Sequence, residues 1–105
     1  MVPAVSWQDE IDALERRRAL AREQGGPEAV ARQHERGRGA VRERIAALCD
    51  KDSFREYGDT AGQAELGEDG ALRGFTPTNL VMGTARIDGR PVVIGGDDFT
   101  IQGGA

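Results

Sequence analysis

Apolar and polar residues follow a helical period in the first part of the chain. Ser6, with Asp9 three residues later, is typical of a helix N-terminus, and Gly25-Gly26 is a stop signal for that helix. Pro27 suits the first position of a second helix because its missing N–H would be unpaired there, and Gly37 ends this helix. The apolar side chains of the first helix share one face: Trp7, Ile11, Leu14 and Ala21. Such narrow apolar faces predict helices that pack on something else.

A third, short helix is predicted between residues 41 and 49. Its apolar residues recur at helical spacing: Val41, Ile45, Leu48 and Cys49. The polar run 50–53 ends it. Cys49 belongs to the apolar face and no histidine lies at a suggestive distance from it, so we interpret it as a core residue rather than a nucleophile.

Beyond residue 54 the pattern becomes that of β-strands, interrupted by an acidic loop predicted from Gly58 to Gly70. Asp88-Gly89 separates two apolar runs, which predicts a hairpin because a type I′ turn needs positive φ at both central residues. The arm Val92–Ile94 is continuously β-branched, which predicts a strand buried on both faces and central in a larger sheet. The sequence therefore predicts an α/β fold, with a helical arm over residues 1–53 and opening β-strands over residues 54–105.

Charge and composition exclude several classes of partner. The first fifty residues hold nine Arg and nine Asp or Glu, whereas the rest accounts for the net charge of −4. This balance argues against nucleic-acid binding, which needs an excess of positive charge. No apolar stretch approaches the length of a membrane span, so no membrane partner is expected either. One cysteine and one histidine offer no disulfide and no zinc spacing, which favours a metal-free protein of a reducing, cytoplasmic compartment.

The arginines of the helical part leave three interpretations open. They could form solvated ion pairs with Glu35 or Glu43, line a subunit interface, or contact a phosphate-bearing ligand. The third interpretation rests on Arg36, Arg38 and Arg42, which bracket a Gly-Arg-Gly turn before the third helix. A guanidinium fork suits phosphate, and a helix N-terminus adds free N–H groups.

No other side chain suggests catalysis. His34 has no acid–base partner nearby in the sequence and is interpreted as a half-buried helix residue. Asp97 and Asp98 are adjacent, so in a strand they would point to opposite faces and form a poor carboxylate pair. Gly103-Gly104 is explained equally well by tight backbone packing and by close approach of the backbone to a ligand.

Three segments, residues 7–30, 33–56 and 83–104, together resemble a known family. Their most specific parts are Arg42-Glu43-Arg44-Ile45 and Asp98-Phe99-Thr100 with Gly103-Gly104. The chain resembles the N-terminal end of the carboxyltransferase (β) subunits of biotin-dependent acyl-CoA carboxylases, the propionyl-CoA and acetyl-CoA carboxylase group. It departs from that pattern at Ala40, where a Thr would cap the third helix, and at Cys49, which is usually Leu.

The resemblance implies an incomplete crotonase-like (ClpP/crotonase) domain preceded by a helical arm. It implies transfer of a carboxyl group from carboxybiotin, carried on a carrier protein, to the α-carbon of an acyl-CoA. The implied partners are the acyl-CoA, a biotin carboxylase or biotin carrier subunit, and further copies of the subunit. Under this interpretation Arg38 and Arg42 contact the phosphates of CoA, and the backbone of Gly103 and Gly104 lies near the ligand.

The chain by itself is expected to be inactive, because the family's oxyanion-binding turns lie beyond the equivalent of Ala105. The expected function is therefore that of the N-terminal part of such a subunit, seen as a fragment. A small non-catalytic module that binds a full-length carboxyltransferase or the CoA nucleotide is the alternative. Because residues 80–87 supply a neighbour for Val92–Ile94 on one side only, we expect the isolated polypeptide to be oligomeric, partly unfolded or bound to a larger partner.

Overall fold

A computed structural model describes residues 6–104. Three helices come first: α1 (Gln8–Arg22), α2 (Pro27–Glu35) and α3 (Val41–Leu48). Five strands and a short 3₁₀ turn follow: β1 (Arg55–Tyr57), β2 (Gly62–Leu66), β3 (Leu72–Pro77), β4 (Leu80–Ile87), β5 (Arg90–Asp97) and the turn Gln102–Gly104. The predicted order of helices and then strands is confirmed. The ends of the two predicted parts, residues 1–5 and residue 105, lie outside the described residues.

Local signals set the limits of the helices. The Ser6 hydroxyl accepts the Gln8 N–H at 3.1 Å where α1 begins. Pro27 occupies the first turn of α2, as predicted. At its end Gly37 adopts φ 74°, and its N–H donates to His34 O at 2.9 Å while the Arg38 N–H donates to Gln33 O at 2.9 Å. These two bonds form a Schellman motif, which needs a residue that tolerates positive φ at position 37.

The start of α3 shows the effect of Ala40. Glu43 Oε1 accepts the Ala40 N–H at 3.2 Å, which is one half of a capping box. Alanine has no side-chain acceptor for the other half, so α3 begins without a side-chain cap.

The main sheet has the order β1-β4-β5 and is antiparallel. Asp88 and Gly89 have φ values of 50° and 77°, so the predicted type I′ hairpin between β4 and β5 is confirmed. The prediction that Val92–Ile94 is buried on both faces is wrong, because Val93 is 81% exposed. In the part of the chain that the structure describes, helices cover only one face of this sheet, and β5 lies at its edge.

The second sheet corrects the predicted loop between Gly58 and Gly70. Residues 62–66 form strand β2, which pairs with β3 in an antiparallel hairpin. Every residue of β2 is exposed. Strands are recognised by an alternation of apolar and polar residues, which arises when one face is buried. A fully exposed strand lacks this alternation, so β2 was not predicted.

The core lies between α3 and the main sheet. Its buried members come from α3, the residue after it, and β4: Val41, Ile45, Cys49, Val81 and Ala85. Cys49 is thus a core residue, as predicted. The predicted apolar face of α1 is largely exposed, because Ala21 is buried whereas Trp7 is 71% exposed. No helix among residues 6–104 is long and apolar enough to cross a membrane.

Candidate functional site

Arg42 forms a largely buried ion pair with Glu56. Its two terminal nitrogens bind the two Glu56 oxygens at 2.6 and 2.8 Å. The two side chains are only 20% and 15% exposed. Arg42 Nε is buried without a hydrogen-bond partner in the described chain. This bidentate contact fixes α3 to β1, and it occupies the groups with which Arg42 was predicted to bind phosphate.

Arg38 lies in a different environment. It is exposed in the turn between α2 and α3, and no ion pair of its side chain occurs within residues 6–104. It lines a cleft of about 430 Å³ together with Gln33, Arg44 and Phe99. Arg42 lines other clefts, beside Glu56 and Asp59. The structure therefore does not bring the two predicted phosphate ligands into one cleft, and Arg44 accompanies Arg38 instead.

His34 has a partner that the sequence analysis missed. Its Nε2 lies 2.6 Å from Glu43 Oε1, and both side chains are about half exposed. The hydrogen bond from His34, helped by the one from the Ala40 N–H, lowers the pKa of Glu43 below its usual 4.5. The pair joins α2 to α3 across the Gly37 turn. The side chain of His34 is 50% exposed, close to the predicted half-buried state, but the prediction that it has no acid–base partner is wrong. The available signal was the separation of His34 and Glu43 by nine positions, which places them on two helices joined by a short turn.

Asp98 is the most deeply buried polar residue among residues 6–104, and the sequence analysis did not predict its hydrogen bonds. It is 1% exposed, and its Oδ1 accepts the Thr100 N–H at 2.9 Å and the Thr100 hydroxyl at 2.5 Å. The Thr100 hydroxyl accepts the Gly25 N–H at 2.8 Å. Asp97 is exposed, so the adjacent carboxylates do not form a pair, as predicted. The Asp-x-Thr spacing is typical of a side chain that bonds the backbone two residues on, and it could have revealed this role.

Asp50 performs a similar role at the hairpin. Its Oδ1 accepts the Asp88 N–H at 2.9 Å and its Oδ2 accepts the Gly89 N–H at 2.8 Å. Its own N–H donates to Arg86 O at 2.8 Å. Asp50, two residues after the end of α3, thereby holds the β4–β5 turn, which explains why an acidic residue follows that helix.

Residues 102–104 form a left-handed turn. Gln102, Gly103 and Gly104 have φ values of 49°, 61° and 83°. A Cβ at position 104 would lie 2.6 Å from the Phe99 ring, whereas one at position 103 would meet no atom within 4 Å. Backbone conformation and packing thus explain Gly104. The predicted approach of a ligand to this backbone stays a prediction.

A cleft of about 500 Å³ lies between α3 and β5. Ile45, Leu48 and Ile94 supply apolar walls, and Arg44 and Asp97 supply charge. Residues 6–104 contain no group of three His, Cys, Asp or Glu that could hold a metal ion. The described arrangement can position backbone segments and contact anions, but it contains no activated nucleophile.

The chain matches a family of known proteins. A family model described as "Carboxyl transferase domain" matches residues 32–105. The propionyl-CoA carboxylase beta chain of Cereibacter sphaeroides is 38% identical over 99 residues, which cover 92% of this chain and 19% of the relative. The methylmalonyl-CoA decarboxylase subunit alpha of Veillonella parvula is 32% identical over 98 residues, which cover 93% of this chain and 19% of the relative.

A solved structure matches over the whole chain. It is transcarboxylase 12S, in a hexamer crystallised with methylmalonyl-coenzyme A and methylmalonic acid bound. The match has a TM-score of 0.77 and 32% identity, and it covers 100% of this chain and 20% of that chain. The predicted α/β, crotonase-like fold class is therefore confirmed. The chain spans about a fifth of the length of the relatives it matches.

Proposed function

The chain belongs to the carboxyl transferase domain family, and we propose that it forms the N-terminal part of a carboxyltransferase subunit of the acyl-CoA carboxylase type. In this proposal the whole subunit transfers a carboxyl group from carboxybiotin to the α-carbon of an acyl-CoA. The observation that carries it is the agreement of fold with transcarboxylase 12S over 100% of the chain, at 32% identity.

The names of the relatives support an acyl-CoA substrate. The two matched relatives are named for propionyl-CoA and methylmalonyl-CoA, and transcarboxylase 12S was crystallised with methylmalonyl-coenzyme A. The hexamer of that structure supports assembly of several subunits. A biotin carboxylase or biotin carrier subunit is the partner that the proposed reaction needs. The cytoplasmic location stays a prediction.

Biotin does not fit the described residues. Its ureido carbonyl would need aimed hydrogen-bond donors, and the cleft between α3 and β5 is walled mainly by apolar side chains. Gly95 and Gly96 also line that cleft. They belong to strand β5, in register with Met82 and Val81 of β4, and therefore do not form a glycine-rich turn that could aim its N–H groups at a ligand. No step of the reaction is therefore assigned to biotin within residues 6–104. The proposed contribution of these residues is to hold the opening strands of the domain in place.

The contact with CoA is proposed through Arg38, in the α2–α3 turn, and Arg42, in the first turn of α3. Arg38 is exposed and needs no rearrangement to meet a phosphate. Arg42 would have to exchange Glu56 for the ligand, because both of its terminal nitrogens are engaged. A phosphate group suits such an exchange, since it also accepts a bidentate guanidinium.

Calorimetry with CoA and with dephospho-CoA tests this contact. Arg38→Ala is expected to weaken binding of CoA, and Glu56→Gln is expected to strengthen it by releasing Arg42. Arg73→Ala is the matched control, because Arg73 is an exposed arginine of β3 that pairs with Asp69. An Arg38→Ala chain that binds CoA as the unchanged chain does would reject the phosphate contact. Equal affinity of the two ligands would reject a contact with the 3′-phosphate, the one phosphate that dephospho-CoA lacks.

A chimera tests the proposed function as a whole. Residues 6–104 replace the matching stretch of the Cereibacter propionyl-CoA carboxylase beta chain, and carboxylation of propionyl-CoA is measured with the biotin-carrying partner present. We expect an active chimera, whereas the 105-residue chain alone should not decarboxylate methylmalonyl-CoA with free biotin as acceptor. An inactive chimera that assembles normally, or turnover by the isolated chain, would overturn the proposal.

A further inference from the structure

The chain contains two Asp-Gly pairs, Asp69-Gly70 and Asp88-Gly89. The first lies in the turn between β2 and β3, and the second lies in the turn between β4 and β5. All four residues are exposed, and the two glycines have nearly the same φ, 79° and 77°. Accessibility and glycine conformation therefore do not distinguish the two pairs, whereas the acceptors of their backbone N–H groups do.

An Asp-Gly pair rearranges with water as the only co-reactant. The glycine nitrogen loses its proton and attacks Cγ of the protonated aspartic acid, which is least hindered before glycine because glycine has no Cβ. A C–N bond forms and the carboxyl oxygen leaves as water. Water then opens the five-membered succinimide at either carbonyl carbon and yields aspartate or isoaspartate. Because the ring fixes the Cα–C torsion of the aspartate, the peptide unit that carries the glycine N–H must rotate.

Asp50 opposes this reaction at Asp88-Gly89. Its Oδ2 accepts the Gly89 N–H at 2.8 Å and its Oδ1 accepts the Asp88 N–H at 2.9 Å. Rotation of the peptide unit breaks a bond to a charged acceptor, which is roughly twice as strong as a neutral one. Loss of the Gly89 proton would also place a negative nitrogen beside a carboxylate. Asp50 is itself fixed, because its N–H donates to Arg86 O at 2.8 Å and its carbonyl accepts the Ser53 N–H at 3.1 Å.

Asp69-Gly70 has no such carboxylate on its glycine nitrogen. The Gly70 N–H donates to the neutral Gly67 O at 2.9 Å. The Asp69 carboxylate accepts the Ala71 N–H at 3.0 Å and lies 3.4 Å from the Arg73 guanidinium. The side chains of Arg73 and Asp69 are 63% and 61% exposed, so this ion pair is weak and opposes protonation of the carboxylate little.

We propose that Asp69 is a site of spontaneous isoaspartate formation and that Asp50 protects Asp88 from the same modification. The inference is independent of the proposed function. Isoaspartate adds one carbon atom to the main chain. At Asp69 this atom would enter a hairpin whose strand β2 is fully exposed. At Asp88 it would disturb the register of β4 against β5, and β4 supplies Val81 and Ala85 to the core.

Peptide mapping of the aged protein tests the proposal. The 105-residue chain is incubated at neutral pH and digested with trypsin, and isoaspartate is detected by chromatography and by labelling with an isoaspartate methyltransferase. Arg73 and Arg86 lie between the two pairs, so separate peptides report on them. In the folded chain Asp69 should isomerise at least about tenfold faster than Asp88, because Asp50 holds only the second turn. In the chain unfolded in urea the two rates should be similar.

Asp50→Asn leaves one neutral acceptor oxygen, so it should raise the rate at Asp88 by at least about threefold and leave that at Asp69 unchanged. Asp52→Asn is the matched control, because Asp52 is an exposed acid two positions away and asparagine tolerates its φ of 59°. Three results would overturn the proposal: equal rates at Asp69 and Asp88 in the folded chain, no isoaspartate at Asp69, or the same rate at Asp88 in both variants. If Asp50→Asn does not fold, the two rates in the unchanged chain decide.

Discussion

Replacement of Asp98 by Ala should remove the interaction that ties the C-terminal segment to the helical arm. The carboxylate is 1% exposed and accepts both the N–H and the hydroxyl of Thr100, and that hydroxyl accepts the Gly25 N–H at 2.8 Å. The three residues therefore connect the segment after β5 to the link between α1 and α2. A Cβ on Gly25 would lie 1.9 Å from Thr100 O, so the two backbones pack directly against each other.

The expected loss follows from the bonds that disappear. A hydrogen bond to a charged group contributes about 1.5–3 kcal/mol, and two that share one acceptor oxygen do not add fully. Asp98→Ala should therefore lower the free energy of unfolding by about 2–4 kcal/mol. At about 4–8 °C per kcal/mol for a domain of this size, the melting temperature should fall by at least about 8 °C. Asp98→Asn retains an acceptor and should cost about half as much.

Urea unfolding followed by circular dichroism measures this loss, and Asp97→Ala is the control. Asp97 is the neighbouring carboxylate, but it is exposed, so its removal should change the free energy of unfolding by less than about 0.5 kcal/mol. Amide exchange at Gly25 should also accelerate in Asp98→Ala alone. Equal destabilisation by the two substitutions would refute the reasoning that burial and the Thr100 bonds give Asp98 its role.

Three further predictions concern the contacts around α3. Asp50→Ala should cost about 1–3 kcal/mol and speed amide exchange at Asp88 and Gly89, whose N–H groups lose their acceptors. Arg42→Ala should cost about 2–4 kcal/mol in urea unfolding, because Glu56 stays largely buried without its cation. The lowered pKa of Glu43 stabilises the fold fully above its unfolded value of 4.5, and this contribution is lost as pH falls through the folded value; Glu43→Gln should remove that pH dependence from unfolding curves.

The sequence predicted those features whose cause is local. Pro27 and Gly37 mark the start and end of α2 because each acts through its own backbone dihedral or missing donor. Asp88-Gly89 specified the hairpin turn for the same reason. The family resemblance then supplied what local rules could not, namely the crotonase-like class of the fold.

The sequence did not predict features that depend on residues distant in the chain. Strand β2 has no buried residue, so hydrophobic alternation could not reveal it. The exposure of Val93 depends on which elements cover the sheet, and a run of β-branched residues has the same composition whether one face is covered or two. The Asp-x-Thr spacing could have predicted the bond between Asp98 and Thr100. The bond from the Gly25 N–H to the Thr100 hydroxyl could not be predicted, because these two residues are 75 positions apart.

The ion pair of Arg42 decides the order in which a phosphate ligand could engage the two predicted arginines. Glu56 is 15% exposed, and displacement of its cation would leave a largely buried carboxylate unpaired, which costs several kcal/mol. Arg38 faces solvent and has no such competitor within residues 6–104. A single phosphate would therefore bind at Arg38 first, and Arg42 would join only a ligand whose charge outweighs the loss of Glu56. CoA carries several phosphate charges and is the kind of ligand that could outweigh this loss. The contribution of Arg38 is measured as the loss of CoA affinity in Arg38→Ala. If the affinity for CoA exceeds that for inorganic phosphate by no more than this contribution, Arg42 has a structural role only.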